Sequence, residues 1–230
     1  MMHKLCLSLL LVVLCCPKLV RGQTTHDNRF PFMAWDYVDS SRILKSMHDA
    51  GITSVAFVPA RMLDACEKFN LKCILFDEHL AVTQWDKPFD GDRFSRNLAA
   101  IVREVGNKPA LYGFHVKDEP DETDFRELAK AVAAVKKLAP GKWPYINLLP
   151  GEGASYNHYV EQFIDVVSPT VLSYDRYSIV GDTGSGKLDP LFWSNLEQIR
   201  EIAKQHHMQF WNIVLTSPHG GYRKLTKADV

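Results

Sequence analysis

The sequence predicts an α/β protein of the (β/α) TIM-barrel type, with seven strand–helix units visible and the eighth apparently missing. Three observations carry this expectation. From residue 31 onward, short apolar runs alternate with longer amphipathic stretches at intervals of mostly about 30 residues, as parallel strands joined by right-handed crossovers require. No Gly-rich phosphate turn follows the first strand, where an open dinucleotide-binding sheet would carry one. Polar and aromatic residues gather after nearly every strand, and a closed barrel brings all those ends to one face.

The elements follow in order. Residues 32–35 read as the first strand and 40–50 as its helix, ended by Gly51; 53–58 is the second strand, with a helix over 60–70. The third strand is expected over 72–76, and a longer loop over 77–91, containing Trp85, Pro88 and Gly91, leads into a helix over 92–105. Residues 111–116 form the fourth strand; Ala, Leu and Val at helical spacing over 122–138 form its helix, stopped at Pro140-Gly141. The fifth unit is a strand over 145–149 and a helix over 155–166. The sixth strand covers 170–174, followed by a Gly-rich loop (181–186) and a helix over 190–205. A seventh strand spans 209–215, and 224–230 begins another helix. Without an eighth unit, two strand edges and apolar surface are left open. An N-terminal fragment of a longer chain is therefore expected, with a natural seven-stranded barrel as the alternative.

The first 22 residues read as a signal peptide rather than as part of the fold. Met1 to Lys4 supply a short positive start, and Leu5 to Cys16 form an apolar run broken by Ser8 alone, too short to span a bilayer. Val20-Arg21-Gly22 then offers a cleavage point after Gly22. An exported protein, secreted or periplasmic, is expected. Residues 23–230 are enough for a single barrel domain. With 27 Lys plus Arg against 27 Asp plus Glu, no net field would gather nucleic acid or hold the mature chain on an anionic membrane. Nothing in the sequence speaks to the oligomeric state. Cys66 and Cys73 could pair in an oxidising compartment, but one sits on a helix and the other on the next strand, which favours two buried free thiols.

Glu119, in Gly-Phe-His-Val-Lys-Asp-Glu-Pro (113–120), is the sharpest candidate for chemistry. It directly follows an apolar strand and precedes Pro120, which stops regular pairing and fixes the turn. A carboxyl at a barrel rim, beside apolar and aromatic groups, can keep its proton to higher pH, as protonating a glycosidic oxygen requires. Asp118 alongside either helps keep Glu119 protonated or pairs with Lys117. The same Asp-Glu-Pro also reads as a helix-entry signal, with acidic residues at the positive end of the next helix.

The order of Trp35-Asp36-Tyr37, Gly51-Ile52-Thr53, Tyr112-Gly113-Phe114 with Asp118-Glu119-Pro120, Tyr145 to Pro150 and Ser173 to Tyr177 resembles the barrel domain of secreted bacterial glycoside hydrolases. These are relatives of the beta-galactosidase family forty-two within the large retaining clan of (β/α)8 enzymes. The resemblance covers nearly all of residues 30–220. It implies that Glu119, at the end of the fourth strand, is the general acid/base, and that a nucleophilic Glu ends the seventh strand. Two features depart from the clan. Asp118 stands where Asn is usual, and the seventh strand carries no carboxylate. Asp175 is the best second carboxylate, with Asp36 behind it; neither is placed by the clan pattern.

Trp35, Tyr37, Tyr174, Tyr177 and Trp211 sit at strand ends, where sugar faces could stack on them, or they simply pack. Asn147 is expected either to bind a hydroxyl or to be satisfied by backbone. Alternation places His115, Lys117 and Glu119 on one side of the strand. His206-His207 reads as a solvated helix end, and 181–187 lacks the spacing of a phosphate loop. No metal or organic cofactor is implied.

The expected function is hydrolysis of O-glycosidic bonds, with Glu119 and Asp175 catalytic and Trp35, Asp36, Asp118, Asn147, Tyr174 and Trp211 holding a carbohydrate. A non-catalytic carbohydrate-binding barrel lacking the nucleophile is the alternative. A lyase or isomerase using Lys117 and His115 is a further rival.

Overall fold

The computed structural model describes residues 30–80, 88–180 and 187–216. The expected signal peptide, Trp85, the Gly-rich loop over 181–186 and the helix start over 224–230 lie outside them.

Seven parallel strands form one sheet, each hydrogen-bonded to its neighbours in chain order. They are β1 (Met33–Trp35), β2 (Ser54–Val58), β3 (Lys72–Leu75), β4 (Leu111–Asp118), β5 (Trp143–Leu148), β6 (Leu172–Asp175) and β9 (Phe210–Ile213). The intervening helices are α1 (Ser41–Asp49), α2 (Leu63–Lys68), α3 (Gly91–Val105), α4 (Phe125–Leu138), α5 (Gly153–Val167) and α6 (Phe192–Gln205). The result is a nearly closed TIM-like barrel of seven units. Between β6 and α6, the strands β7 (Ile179–Val180) and β8 (Lys187–Leu188) pair antiparallel, an excursion that the expected Gly-rich loop alone did not contain.

Two cores follow from the alternation of side chains along each strand. The larger lies between sheet and helices and includes Val55, Val58, Leu75, Phe114, Val116, Ile146, Leu148, Leu172 and Tyr174. The smaller fills the barrel with Ala56, Phe57, Ile74 and Tyr145, flanked by Met33, Trp35, Phe76 and Tyr112. Gly113 is required where β4 passes β5, because a Cβ there would stand 2.3 Å from the Trp143 carbonyl oxygen.

Three register shifts interrupt the alternation: one lies between Cys73 and Ile74 where β3 meets β4, and two more bear on which side chains face inward. In β2 the shift lies between Ala56 and Val58, and Phe57 takes a positive φ of 73°, so Ala56 and Phe57 both face the interior. In β4 it lies between His115 and Lys117. Both have the form of β-bulges, which re-aim the residues that follow them.

The two thiols remain free and buried, each within hydrogen-bonding reach of the other, and Cys73 Sγ also lies 3.3 Å from the Ala110 carbonyl oxygen. His206 is not simply a solvated helix end: its Nε2 lies 2.6 Å from a Glu161 carboxylate oxygen and ties the end of α6 to α5.

Candidate active site

The β4 bulge decides which side chains reach the barrel mouth. His115 pairs in register with inward-facing Tyr145, Lys117 with outward-facing Ile146, and Asp118 with Asn147. Lys117 is thus turned away from the interior, buried, with its Nζ 3.9 Å from the Asp124 carboxylate. This corrects the expectation that His115, Lys117 and Glu119 share one side. The close ion-pair partner of Lys117 is Asp124 rather than Asp118, and Lys117 reaches Asp118 and His115 through its charge alone. His115 is enclosed by Phe57, Phe76 and Tyr145, and burial followed by the Lys117 charge pushes its pKa down to about 3, so it is neutral.

Glu119 leaves the strand in the left-handed region, with φ of 44°, just before Pro120. A non-glycine residue there is strained, and the strain is held by the pairing around it. Its N–H donates to the Asn147 carbonyl at 2.8 Å, so β5 fixes the turn. The Glu119 carboxyl is half-buried and in hydrogen-bonding contact with Asp175 from the end of β6. Asp118, Glu119 and Asp175 therefore form one cluster across β4 and β6, with Asn147 of β5 between them.

Asn147 is 1% exposed, and its Nδ2 donates to Asp118 Oδ1 at 3.1 Å and to Asp175 Oδ1 at 2.9 Å. Its Oδ1 accepts from Ser173 Oγ at 3.0 Å. Ser173 Oγ lies 2.9 Å from Tyr145 Oη, which accepts from Trp35 Nε1 at 3.1 Å. Tyr177 hydrogen-bonds Asp175 as well.

Crowding three acids under partial burial raises their pKa values. Glu119 is raised from 4.5 to about 7, by burial first and then by the Asp175 and Asp118 charges. Asp118 rises from 3.8 to about 6, by burial first, against the hydrogen bond from Asn147. Asp175 is also raised by burial, opposed by the hydrogen bonds from Asn147 and Tyr177. At neutral pH the arrangement can hold a transferable proton on a carboxyl at the barrel mouth.

The remaining expected residues divide. Tyr174 is not a sugar platform: it alternates outward from β6, is 1% exposed and belongs to the core under the helices. Trp211 faces inward but meets Trp143, the first residue of β5, edge-on at 5.5 Å, which sets it below the carboxylates. Trp35 packs edge-on against Phe57 at 4.9 Å while its indole N–H is engaged by Tyr145. Asp36 is exposed, and its carboxylate accepts from the N–H of Tyr37 at 2.8 Å. Ser173 and Tyr145 escaped the sequence reading as site residues. Stepping back two residues from Asp175 and from Asn147 along their strands would have found both.

A cavity of about 730 Å³ lies at the seam between β1 and β9, lined in part by Trp35, Asp36, Trp211 and Tyr177. Tyr177 joins it to the carboxylate cluster through its hydrogen bond to Asp175. Among the described residues, no group of three His, Cys, Asp or Glu side chains could hold a metal ion.

No protein-family profile matches the chain, and no curated protein matches it in sequence. Solved structures do share its fold, and they are glycoside hydrolases. A beta-glucuronidase of Bacteroides uniformis, covalently bound to cyclophellitol-6-carboxylate aziridine, superposes with TM-score 0.55 at 12% identity, over 79% of this chain and 24% of that one. A glucosidase of Croceicoccus marinus gives TM-score 0.55 at 11% identity, over 83% and 52%. An endoglucanase of Pseudomonas stutzeri in complex with cellobiose gives 0.50 at 16% identity, over 74% and 64%. The chain thus spans between about a quarter and two thirds of the length of these enzymes. At such identities the likeness concerns the fold.

Proposed function

We propose that this chain is a carbohydrate-active barrel that hydrolyses O-glycosidic bonds, with Glu119 as general acid/base. The observation that carries the reading is the Glu119 carboxyl, held at the end of β4 against Asp175, with its pKa raised to about 7. Such a group is protonated in a large fraction of molecules near neutrality and can give its proton to a departing sugar oxygen. The ionised form can then take a proton from water. Barrel likeness to enzymes whose names include a glucuronidase, a glucosidase and an endoglucanase supports a carbohydrate as the partner. The leader-like residues 1–22 support export of the protein to the periplasm or the medium.

Asp175 is the second carboxylate of this reading. It is in hydrogen-bonding contact with Glu119; retaining chemistry needs the two carboxyls roughly 5–5.5 Å apart. Turning Glu119 toward a bound sugar would open that contact. A second reading, a barrel that binds carbohydrate without cleaving it, is favoured by one observation: β9 carries no carboxylate.

Initial rates on a panel of aryl glycosides between pH 4 and 9, for the wild type and Glu119→Gln, decide between them. Turnover lost in the variant supports the acid role, and equal rates overturn it. Oligosaccharide binding in calorimetry without turnover by either protein favours the binding-only reading.

A further inference from the structure

The chain of hydrogen bonds beneath the carboxylates has a direction. An indole N–H only donates. Trp35 therefore makes Tyr145 Oη an acceptor, at 3.1 Å, and the Tyr145 hydroxyl proton is left to point at Ser173 Oγ, 2.9 Å away. Ser173 then has its own proton to give, and it goes to Asn147 Oδ1 at 3.0 Å. The amide is thereby oriented with both Nδ2 hydrogens outward, one to Asp118 at 3.1 Å and one to Asp175 at 2.9 Å. Tyr145 and Ser173 are fully buried and Asn147 is 1% exposed, so water does not compete for these bonds. The opposite amide orientation would aim a carbonyl oxygen at two carboxylates and leave Ser173 and Tyr145 competing to donate.

We propose that Trp35, Tyr145, Ser173 and Asn147 are positioning residues that keep Asp118 and Asp175 as proton acceptors and so localise the proton of the three-acid cluster on Glu119. An ionised carboxylate is favoured wherever a donor is fixed upon it, and Asp118 and Asp175 each receive one from the same amide. Glu119 meets Asp175, which is already supplied by Asn147 and Tyr177, so in that contact Glu119 is the donor. Other charged or titratable groups around the cluster are Lys117 on β4, whose charge acts on Asp118, Tyr177 after β6, and Tyr159 on α5, which faces Glu119 together with Asp121 and Glu122 of the following turn. None of them belongs to the chain. The inference deepens the proposed function and rests on it only for the use made of the proton; the location of the proton can be measured without any sugar.

The test is a carbon-13 titration of the Asp and Glu carboxyls by NMR in the wild type, Trp35→Phe, Ser173→Ala and Ser173→Thr, with circular dichroism to verify folding. In the wild type, Glu119 is expected to titrate last of the three acids. In Trp35→Phe and Ser173→Ala the amide is released, the Glu119 midpoint falls by one pH unit or more, and the midpoint of Asp118 or Asp175 rises. Ser173→Thr keeps the hydroxyl and retains the wild-type order. An unchanged order in both Trp35→Phe and Ser173→Ala, with the fold intact, overturns the proposal. A shift in Ser173→Thr as large as in Ser173→Ala also overturns it, since the cause would then be shape rather than the hydroxyl. If the titration order shifts as expected while no glycoside is cleaved, this inference stands and hydrolysis falls. Cleavage with an unmoved titration order has the reverse meaning.

Discussion

Strands β4, β5 and β6 are each paired on both edges, and helices α4 and α5 over them bury five residues apiece. Among the described residues, strands β1 and β9 are each paired on one edge, and α1, beside β1, buries Leu44 alone. Around the seam Phe30, Phe32 and Val214 are exposed, at 82%, 50% and 48%. The difference teaches where precise chemistry can be built. Asn147 reaches an acid on each side because the β4 bulge sets Asp118 opposite it, while β6 pairs with β5 just before Asp175. Asp36, at the seam, is exposed and accepts from the N–H of the next residue, Tyr37. Strand-end residues become a site where neighbours on both sides fix them.

The largest expected effect tests the paired sector. Glu119→Gln should lower the rate on unactivated glycosides on the order of 10²–10⁴-fold, measured as initial rates near pH 6, with the fold retained. Next, Asn147→Ala leaves the buried Asp175 and the half-buried Asp118 without their shared donor and should cost about 1–3 kcal/mol in urea unfolding at pH 7. The loss should shrink toward pH 4, where the acids take up protons. A pH-independent loss would mean that the amide merely fills space.

Gly113→Ala should destabilise by about 2 kcal/mol, because the methyl group must displace the backbone of Trp143. A smaller effect belongs to the proton on Glu119. The folded chain holds it up to about 7, whereas the unfolded chain releases it near 4.5. Between those values the folded state binds more protons, so stability falls as pH rises through the window and the cost stays in full above it. Solvent screening of this half-exposed carboxyl limits the cost to about 1 kcal/mol. Glu119→Gln should lessen that fall and leave the part that the raised Asp118 and Asp175 contribute, read as melting temperatures from pH 4 to 8.

The smallest effect is expected at the seam. Phe32→Ser and Val214→Ser should each cost no more than about 1 kcal/mol, since about half of each side chain is already in water. A loss above about 1 kcal/mol in either would show the seam to be as tightly built as the β4–β6 sector, and the contrast would fail.

The sequence by itself determined the number and order of the barrel strands, the helices between them, and the place of Glu119 at the end of β4. These are local matters: apolar periodicity, Gly and Pro punctuation, and a carboxylate where a strand stops. It also showed that the seventh strand lacks an acid. Only the tertiary structure decided which side chains share the mouth. The bulges that turn Phe57 inward and Lys117 outward arise from register between neighbouring strands, which one strand's pattern does not contain. Tyr174 looked like a strand-end platform, but pairing in β6 put Ser173 and Asp175 inside and Tyr174 beneath the helices. The path from Trp35 through Tyr145, Ser173 and Asn147 to two acids joins strands up to 110 residues apart in sequence. Barrel curvature, which periodicity cannot encode, brings those ends within hydrogen-bonding distance and makes an ordinary strand-end carboxyl into a proton donor candidate.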